Sequence, residues 1–420
     1  MSEYLNDIGN KAREASRILG ILTDKERSDA IIQIANQIEV FKDEIIEANK
    51  IDIENLIKKA EKLNMKDRLE LNERRIVDMA EGARQVAEMP DPVDGIIESF
   101  ERPNGMKVSK ISVPFGVIGI IYESRPNVTV DAALLCLKAG NAVVLRGGSE
   151  ALSSNKALVN IIAKALKSLG LPETSVQLIT QTDRETAAGF MKLNKYIDVL
   201  IPRGGAGLIS AVVENATIPV IETGTGICHV YIDEEADFTM ADNIVINAKT
   251  QRPSVCNAIE SLLVNRNIAT KYLPGIIEDL IERGVEIRAN DDVTAFLKED
   301  LNNRIKQADE NDWDTEYNDL ILSIKTVENA NEAIEHINRH GTGHSECIVT
   351  ENEETAGIFQ KKIDAACVYW NVSTRFTDGF EFGFGAEIGI SNQKLHARGP
   401  MGLRELTTYK YIITGNGQIR

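Results

Sequence analysis

Gly116-Val117-Ile118-Gly119-Ile120-Ile121 is the stretch that decides the fold. It carries no charge and does not alternate, so both faces must be buried, the habit of a strand inside a parallel sheet. The residues downstream repeat the theme. A helix near Thr129 to Ala139 leads to Ala142-Val143-Val144-Leu145, and a helix from Ala151 to Leu169 leads to Val176-Gln177-Leu178-Ile179. A helix around Glu185 to Lys192 leads to Val199-Leu200-Ile201, and one from Gly207 to Val213 leads to Pro219-Val220-Ile221. Apolar strands alternating with helices over short connections specify an α/β fold on a parallel sheet.

Upstream, the first ninety residues read as helical. Ile31, Ile32, Ile34, Ala35, Ile38 and Val40 recur at helical spacing among charges, with Asp24 expected as the N-cap. Pro90-Asp91-Pro92 stops the helices. Ile96 to Arg102 and Met106 to Val113 flank Pro103-Asn104-Gly105, a hairpin signal. A second α/β block is expected from about Cys228 to Tyr369, with strands at Ser261 to Val264 and Cys347 to Val349. Asn371 to Met401 is glycine-rich and irregular, and Leu403 to Ile413 reads as an extended strand.

At 420 residues the chain is too long for one ordinary core. A net charge of -17 argues against a binder of nucleic-acid backbones, whose affinity comes from basic patches. Met1 to Lys11 lacks the apolar core of a signal peptide, and no apolar run is long enough to span a bilayer. The cysteines, at 136, 228, 256, 347 and 367, are odd in number, widely spaced and without a Cys-x-x-Cys pair. That usage fits reduced thiols and a cytoplasmic location.

Three strands of the first sheet end in glycine-rich turns: Arg146-Gly147-Gly148-Ser149, Pro202-Arg203-Gly204-Gly205-Ala206-Gly207 and Glu222-Thr223-Gly224-Thr225-Gly226. Ligands of open parallel sheets bind beyond the strands' carboxyl ends, where glycine admits close approach and helix N-termini attract phosphate. The three together suggest a nucleotide site. Neither the Gly-x-x-x-x-Gly-Lys loop nor Gly-x-Gly-x-x-Gly is in place, so a cofactor would be bound another way.

Cys256, in Arg252-Pro253-Ser254-Val255-Cys256-Asn257, precedes an apolar strand and is the candidate nucleophile, since a thiolate is potent in acyl transfer. The competing reading is a small buried apolar residue. His336, His340 and His344, with Cys347 behind them, have a spacing that imitates a zinc site. Gly341 and Gly343 should end the helix after His340, so no metal site is expected and the histidines read as surface residues at a helix end.

Further stretches carry a resemblance. Val113-Pro114-Phe115-Gly116-Val117-Ile118-Gly119 through Tyr122-Glu123-Ser124-Arg125-Pro126-Asn127, then Val144-Leu145-Arg146-Gly147-Gly148-Ser149-Glu150, are similar to the aldehyde dehydrogenase superfamily, nearly end to end from about residue 5 to 415. Ser373-Thr374-Arg375-Phe376-Thr377-Asp378-Gly379 and Phe382-Gly383-Phe384-Gly385-Ala386-Glu387-Ile388-Gly389 resemble its branch that reduces an acyl phosphate. The resemblance implies two parallel-sheet α/β domains with a small β oligomerisation flap. Residues 1–227 would bind the cofactor, the hairpin about 96–113 contributing to the flap, and 228–370 would be catalytic. Residues 371–402 would return to the cofactor domain and 403–420 supply an oligomerisation strand, giving at least a dimer.

The implied activity is NADPH-dependent reduction of L-glutamyl 5-phosphate to L-glutamate 5-semialdehyde with release of phosphate, through a Cys256 thioester, in proline biosynthesis. Asn127 falls at the family's oxyanion position, and its local alternative is to cap the following helix. Arg146 stands where many relatives carry a lysine beside the adenosine ribose. The implied cofactor set continues with Gly147, Gly148, Ser149, Gly204, Gly205, Glu222, Thr223, Gly224 and Glu316. Glu316 corresponds to a glutamate that holds the nicotinamide ribose, although the Phe-Gly-Pro that usually follows is missing. Glu222 occupies the general-base position of hydrolytic relatives, where an efficient base would waste the thioester, so it is expected to orient cofactor. Arg375, then Arg125, with Thr374, are the implied substrate residues. Acyl phosphates are labile, so transient contact with glutamate 5-kinase is a further partner the resemblance allows. The alternatives are another phosphorylating or acylating aldehyde dehydrogenase, and a silent homologue acting as a structural subunit.

Overall fold

The computed structural model describes residues 2–58 and 64–420, and the expected helical stretch across 59–63 lies outside them. The chain forms two compact units. The first comprises Met1–Thr223, Gly383–Gly389 and Met401–Arg420, and the second Gly224–Phe382 and Ile390–Pro400.

The first unit opens with helices α1 (Glu3–Leu19), α2 (Asp24–Val40), α3 (Lys42–Lys58), α4 (Asn64–Leu69) and α5 (Glu73–Glu88). Asp24 is not the cap of α2. Thr23 takes that place: its Oγ1 accepts from Glu26 N at 3.3 Å and its N–H donates to the Glu26 carboxylate at 2.8 Å. This capping box satisfies two N–H groups reciprocally, and a Thr-x-x-Glu pattern outcompetes an aspartate one residue later. Asp24 instead accepts, at 2.6 Å, from Lys138, whose side chain is fully buried.

A hairpin of β1 (Ile96–Glu101) and β2 (Lys107–Pro114) follows, then β3 (Val117–Tyr122), α6 (Pro126–Lys138), β4 (Ala142–Arg146), α7 (Leu152–Ser168), β5 (Val176–Leu178), α8 (Arg184–Phe190), β6 (Val199–Arg203) and α9 (Ala206–Asn215). Among the described residues these make a four-stranded sheet in the order β5-β4-β3-β6, all parallel. Every residue of β3 is buried, as its unbroken apolar run requires. Gly119 interrupts that run for lack of room: a Cβ would stand 2.8 Å from Leu200 and 3.1 Å from Phe190. Asp198, ahead of β6, accepts from Val117 N at 2.8 Å and from both arms of Arg13, so one carboxylate ties α1 to the start of β3.

Pro219-Val220-Ile221 does not complete a strand. It makes a single parallel bridge, Leu200 to Val220, because proline offers no N–H to extend the ladder.

The second unit contains β7 (Cys228–Ile232), α10 (Phe238–Thr250), β8 (Ile259–Asn265), α11 (Arg266–Glu282), β9 (Glu286–Ala289), the short α12 (Asp291–Thr294) and α13 (Glu299–Asn302), β10 (Lys306–Gln307), β11 (Ile321–Val327), α14 (Ala330–His340), β12 (Ser345–Val349), α15 (Glu353–Lys362) and β13 (Cys367–Trp370). Its sheet runs β10-β9-β11-β8-β7-β12-β13, all parallel. Side chains alternate across it: Val230, Ile232, Leu262 and Val264 face α10 and α11, while Tyr231 and Leu263 face α14 and α15. Helices therefore cover both faces, and a fully buried Leu, Ile or Val contributes roughly 1.5–3 kcal/mol over leaving it exposed.

Short β14 (Ile390–Ser391) and β15 (Gly399–Pro400) pair antiparallel in this unit. The last strand, β16 (Thr407–Thr414), belongs to the first unit and pairs antiparallel with β2, completing the sheet β1-β2-β16. Gly105 turns the hairpin with φ +82. Ile96, Ile97 and Phe100 on β1 and Tyr409, Tyr411, Ile412 and Ile413 on β16 are exposed.

Candidate active site

Cys256 lies in the second unit, on the loop that joins α10 to β8. A buried ion pair closes the base of this loop. Lys249, in the last turn of α10, donates to the Glu260 carboxylate at 2.6 Å and to the Ile259 carbonyl at 2.9 Å at the start of β8. Burial pushes Glu260 up to about 7, only partly offset by Lys249. Within the loop Cys256 is half-buried and Asn257 fully so. Asn257 donates to the Thr377 carbonyl at 2.9 Å, and its own carbonyl accepts from Thr374 Oγ1 at 2.7 Å. Thr374, expected at the substrate, is thus fully buried and supports the nucleophile loop.

Arg375 is half-buried beside this loop. Its guanidinium donates to Gln251 Oε1 at 2.7 Å and to Asn257 Oδ1. Both acceptors are neutral amides, and among the described residues Arg375 makes no ion pair. Burial, then the nearby Arg252, hold it below the usual guanidinium range, while Cys256 and Asp378 act in the other direction. It lines a cavity of about 580 Å³ with Asn243, Asn247, Gln251, Asp378 and Glu381.

The turn ahead of β7 is packed against this loop. A Cβ on Gly226 would fall 1.6 Å from the Cys256 carbonyl oxygen, and one on Gly224 2.1 Å from the Asn392 side chain. The Gly226 N–H donates to Glu316 Oε1 at 2.8 Å. These glycines serve close approach, as expected of them, but within the unit the partner they meet is protein.

The other expected residues are in the first unit. Asn127 is exposed as the second residue of α6, where Arg125 takes the N-cap position without a side-chain cap bond, so Asn127 does not cap the helix. Its amide donates to Asp131 at 3.3 Å. Arg146 ends β4, half-buried, with one long contact to the Thr182 carbonyl at 3.5 Å and a buried Nε without a partner. Burial lowers its pKa, with Asp183 acting in the other direction. Gly147 and Gly148 pack on Asn155 and Glu150, and Ser149 opens a single 3-10 turn. Gly205, at the N-cap of α9, donates to the Glu123 carboxylate at 2.9 Å, and Gly204 packs on the same side chain. That helix start already holds an anion. Thr223 is buried with its hydroxyl donated to the Pro202 carbonyl at 2.8 Å, and Glu222 is half-buried.

The sequence model of the Aldehyde dehydrogenase family matches residues 2–317 and 313–412. Gamma-glutamyl phosphate reductase of Clostridium botulinum (strain Alaska E43 / Type E3) is 58% identical over 412 residues, 98% of each chain. The chain belongs to the aldehyde dehydrogenase family, among its gamma-glutamyl phosphate reductases. The crystal structure of gamma-glutamyl phosphate reductase from Thermotoga maritima superposes with a TM-score of 0.96 at 50% identity, covering 99% of both chains. An acetylating aldehyde dehydrogenase from Geobacillus thermoglucosidasius, 18% identical with a TM-score of 0.67, shares the fold over 100% of this chain and 98% of its own. Enzymes of the family use NAD or NADP.

Within this aldehyde dehydrogenase fold a further sequence expectation fails. His336 and His344 are buried, not surface residues. Burial pushes His336 down to about 2 and His344 to about 4. His336 packs edge-on against Trp313 and His229, contacts that no spacing rule reveals. Asp233, after β7, is buried between the hydroxyls of Tyr231 and Thr350. Sequence reasoning also passed over Cys228, Asn257, Arg252 and Glu123. Cys228 gives no local signal, because a buried cysteine on a strand looks like any core residue.

Proposed function

We propose that the chain reduces L-glutamyl 5-phosphate to L-glutamate 5-semialdehyde and releases phosphate, as a step of proline biosynthesis. The observation that carries this reading is the half-buried Arg375 guanidinium, which donates to the neutral amides of Gln251 and Asn257 and acts electrostatically on Cys256, beside the loop of that half-buried cysteine. A cation so placed favours an anionic substrate and the thiolate alike. Cys256 Sγ attacks the acyl carbon, the carbon–sulfur bond forms, the carbon–oxygen bond to phosphate breaks, and a thioester remains. NADPH, when bound, supplies the hydride that takes the thioester to the aldehyde. The thiolate of Cys256 then leaves and is ready for another turnover.

Arg375 holds the substrate carboxylate, with Arg125 the second candidate. Asn127 and the Cys256 N–H are the oxyanion donors, which act by meeting charge as it develops. Arg146 fits the 2′-phosphate of NADPH: it is half-buried at the end of β4, and its buried Nε makes no hydrogen bond among the described residues, leaving a donor for an anion. Gly147, Gly148, Ser149, Gly224 and Glu222 complete the cofactor set. Gly204, Gly205, Thr223 and Glu316 enter it, the last three with polar groups already engaged inside the protein. The first unit takes the cofactor and the second the chemistry. A second copy adds through the exposed strands β1 and β16, whose apolar edges invite pairing. Glutamate 5-kinase is a transient partner, and the location is the cytoplasm.

The test is an acid quench of enzyme mixed with kinase-generated glutamyl phosphate in the absence of NADPH. The reading expects an acyl adduct on the Cys256 peptide, lost in Cys256→Ser. An adduct-free Cys256 peptide with phosphate still released would overturn it.

A further inference from the structure

The cavity beside the nucleophile loop carries charges of both signs, all within the second unit. Arg375, Asp378 and Glu381 line it together with the amides of Asn243, Asn247 and Gln251. At about 580 Å³ it has the size of a small-metabolite site. Asn243 and Asn247 are exposed one turn apart on α10, so both amides lie on one helix face.

The opposite charges do not neutralise one another. Asp378 acts on Arg375 through its charge and without a hydrogen bond. The guanidinium donates instead to Gln251 Oε1 at 2.7 Å and to Asn257 Oδ1. Asp378 Oδ1 accepts from Phe380 N at 2.9 Å and, more distantly, from Glu381 N at 3.5 Å, so one turn carries both carboxylates. Among the described residues neither carboxylate makes an ion pair with a lysine or arginine. A cation and a carboxylate kept apart in one cavity are complementary to a ligand that carries both signs close together. The head group of an amino acid is such a ligand.

We propose that this cavity is the subsite for the α-amino-acid head of the substrate, with Asp378 accepting from the α-ammonium, Glu381 a second carboxylate beside it, and Arg375 the partner of the α-carboxylate. The assignment rests on the proposed function and adds to it the group that separates a glutamyl from a glutaryl chain. It also has a chemical consequence. A neutral α-amine could attack the acyl carbon of its own thioester, forming a carbon–nitrogen bond, breaking the carbon–sulfur bond and losing a proton, to leave a lactam in place of the aldehyde. An ammonium held by carboxylates has no lone pair for that attack.

The test runs the full chain in reverse, with NADP and phosphate, on two aldehydes: glutamate 5-semialdehyde and 5-oxopentanoate, the same chain without its amino group. The variants are Asp378→Asn, Asp378→Ala and Glu381→Gln. The parent should prefer the aminated aldehyde. Asp378→Asn should lower kcat/KM for that aldehyde roughly tenfold to a hundredfold, the worth of a charge-assisted hydrogen bond, and leave 5-oxopentanoate within about twofold of the parent. Glu381→Gln, at an exposed carboxylate, should lose about twofold to fivefold in the same direction. Asp378→Asn keeps an oxygen for Phe380 N, so it decides the matter if Asp378→Ala does not fold. Equal losses on both aldehydes would overturn the proposal and leave Asp378 a structural part of its turn. So would a parent that does not discriminate between them, or an Asp378→Asn enzyme with the parent's discrimination. A parent without phosphate-dependent activity on either aldehyde would instead overturn the proposed function, so the two failures are distinguishable.

Discussion

Gly226→Ala should disable the enzyme without unfolding it. The ideal Cβ lies 1.6 Å from the Cys256 oxygen, 2.4 Å from its carbonyl carbon and 2.6 Å from its Cα, and real Cβ contacts essentially never fall under 3.0 Å. All three atoms are backbone, so no rotamer relieves the clash, and the nucleophile loop or the turn must move by about 1.4 Å. The loop resists, because Thr374 holds the Asn257 carbonyl at 2.7 Å and Asn257 holds Thr377 at 2.9 Å. A 1 Å misplacement of a reacting group costs about a hundredfold in rate. The expected loss in kcat is therefore at least about a hundredfold, about 2.7 kcal/mol of barrier. Steady-state kinetics beside a thermal melt make the assay. Gly82→Ala is the control: nothing lies within 4 Å of its Cβ, and it sits inside α5. It should keep full activity and gain about 0.5–1 kcal/mol of stability from helix propensity. A Gly226→Ala enzyme within threefold of the parent's kcat would refute the reasoning.

Other outcomes can be stated briefly. Arg146→Gln should lower kcat/KM with NADPH about tenfold to a hundredfold, the worth of a charge-assisted hydrogen bond, and leave NADH activity unchanged; equal losses with both would contradict the 2′-phosphate assignment. Arg375→Lys should raise the KM for glutamyl phosphate about tenfold or more, because an ammonium cannot span Gln251 and Asn257 and still present a planar face; an unchanged KM would remove Arg375 from the substrate. His336 and His344 titrate at about 2 and about 4, against an ordinary 6.5. The unfolded chain therefore binds protons first, so their contribution is complete above pH 6.5 and is lost as pH falls toward 4, and for His336 toward 2. Each contributes a slope of about 1.4 kcal/mol per pH unit. Urea midpoints of His336→Phe between pH 6 and pH 4.5 should show a pH dependence flattened by about that amount, and an unchanged slope would contradict the burial argument.

Much of the fold was readable because parallel strands buried on both faces announce themselves as apolar runs. Val117 to Tyr122 and Ala142 to Leu145 sit where the sequence puts them. Pro219-Val220-Ile221 misleads, since hydrophobicity says nothing about the N–H that proline lacks. The site was readable in part. Cys256 stands out by residue type and Arg375 enters through the resemblance, and the two are neighbours in the second unit. The use made of the glycines was not readable, because it depends on partners far away in the chain. Gly205 meets Glu123, Gly226 meets Cys256, and Thr374 reaches back to Asn257. Periodicity carries no record of such pairings, and short motifs record only that something close must fit.

The central claim is tested most directly by running the reaction in reverse: NADP reduction with glutamate 5-semialdehyde, with and without phosphate, for the parent and Cys256→Ala. The account predicts activity that depends on phosphate and vanishes in Cys256→Ala. Equal activity without phosphate would contradict it, and would point to hydrolysis of the thioester with Glu222 as the base.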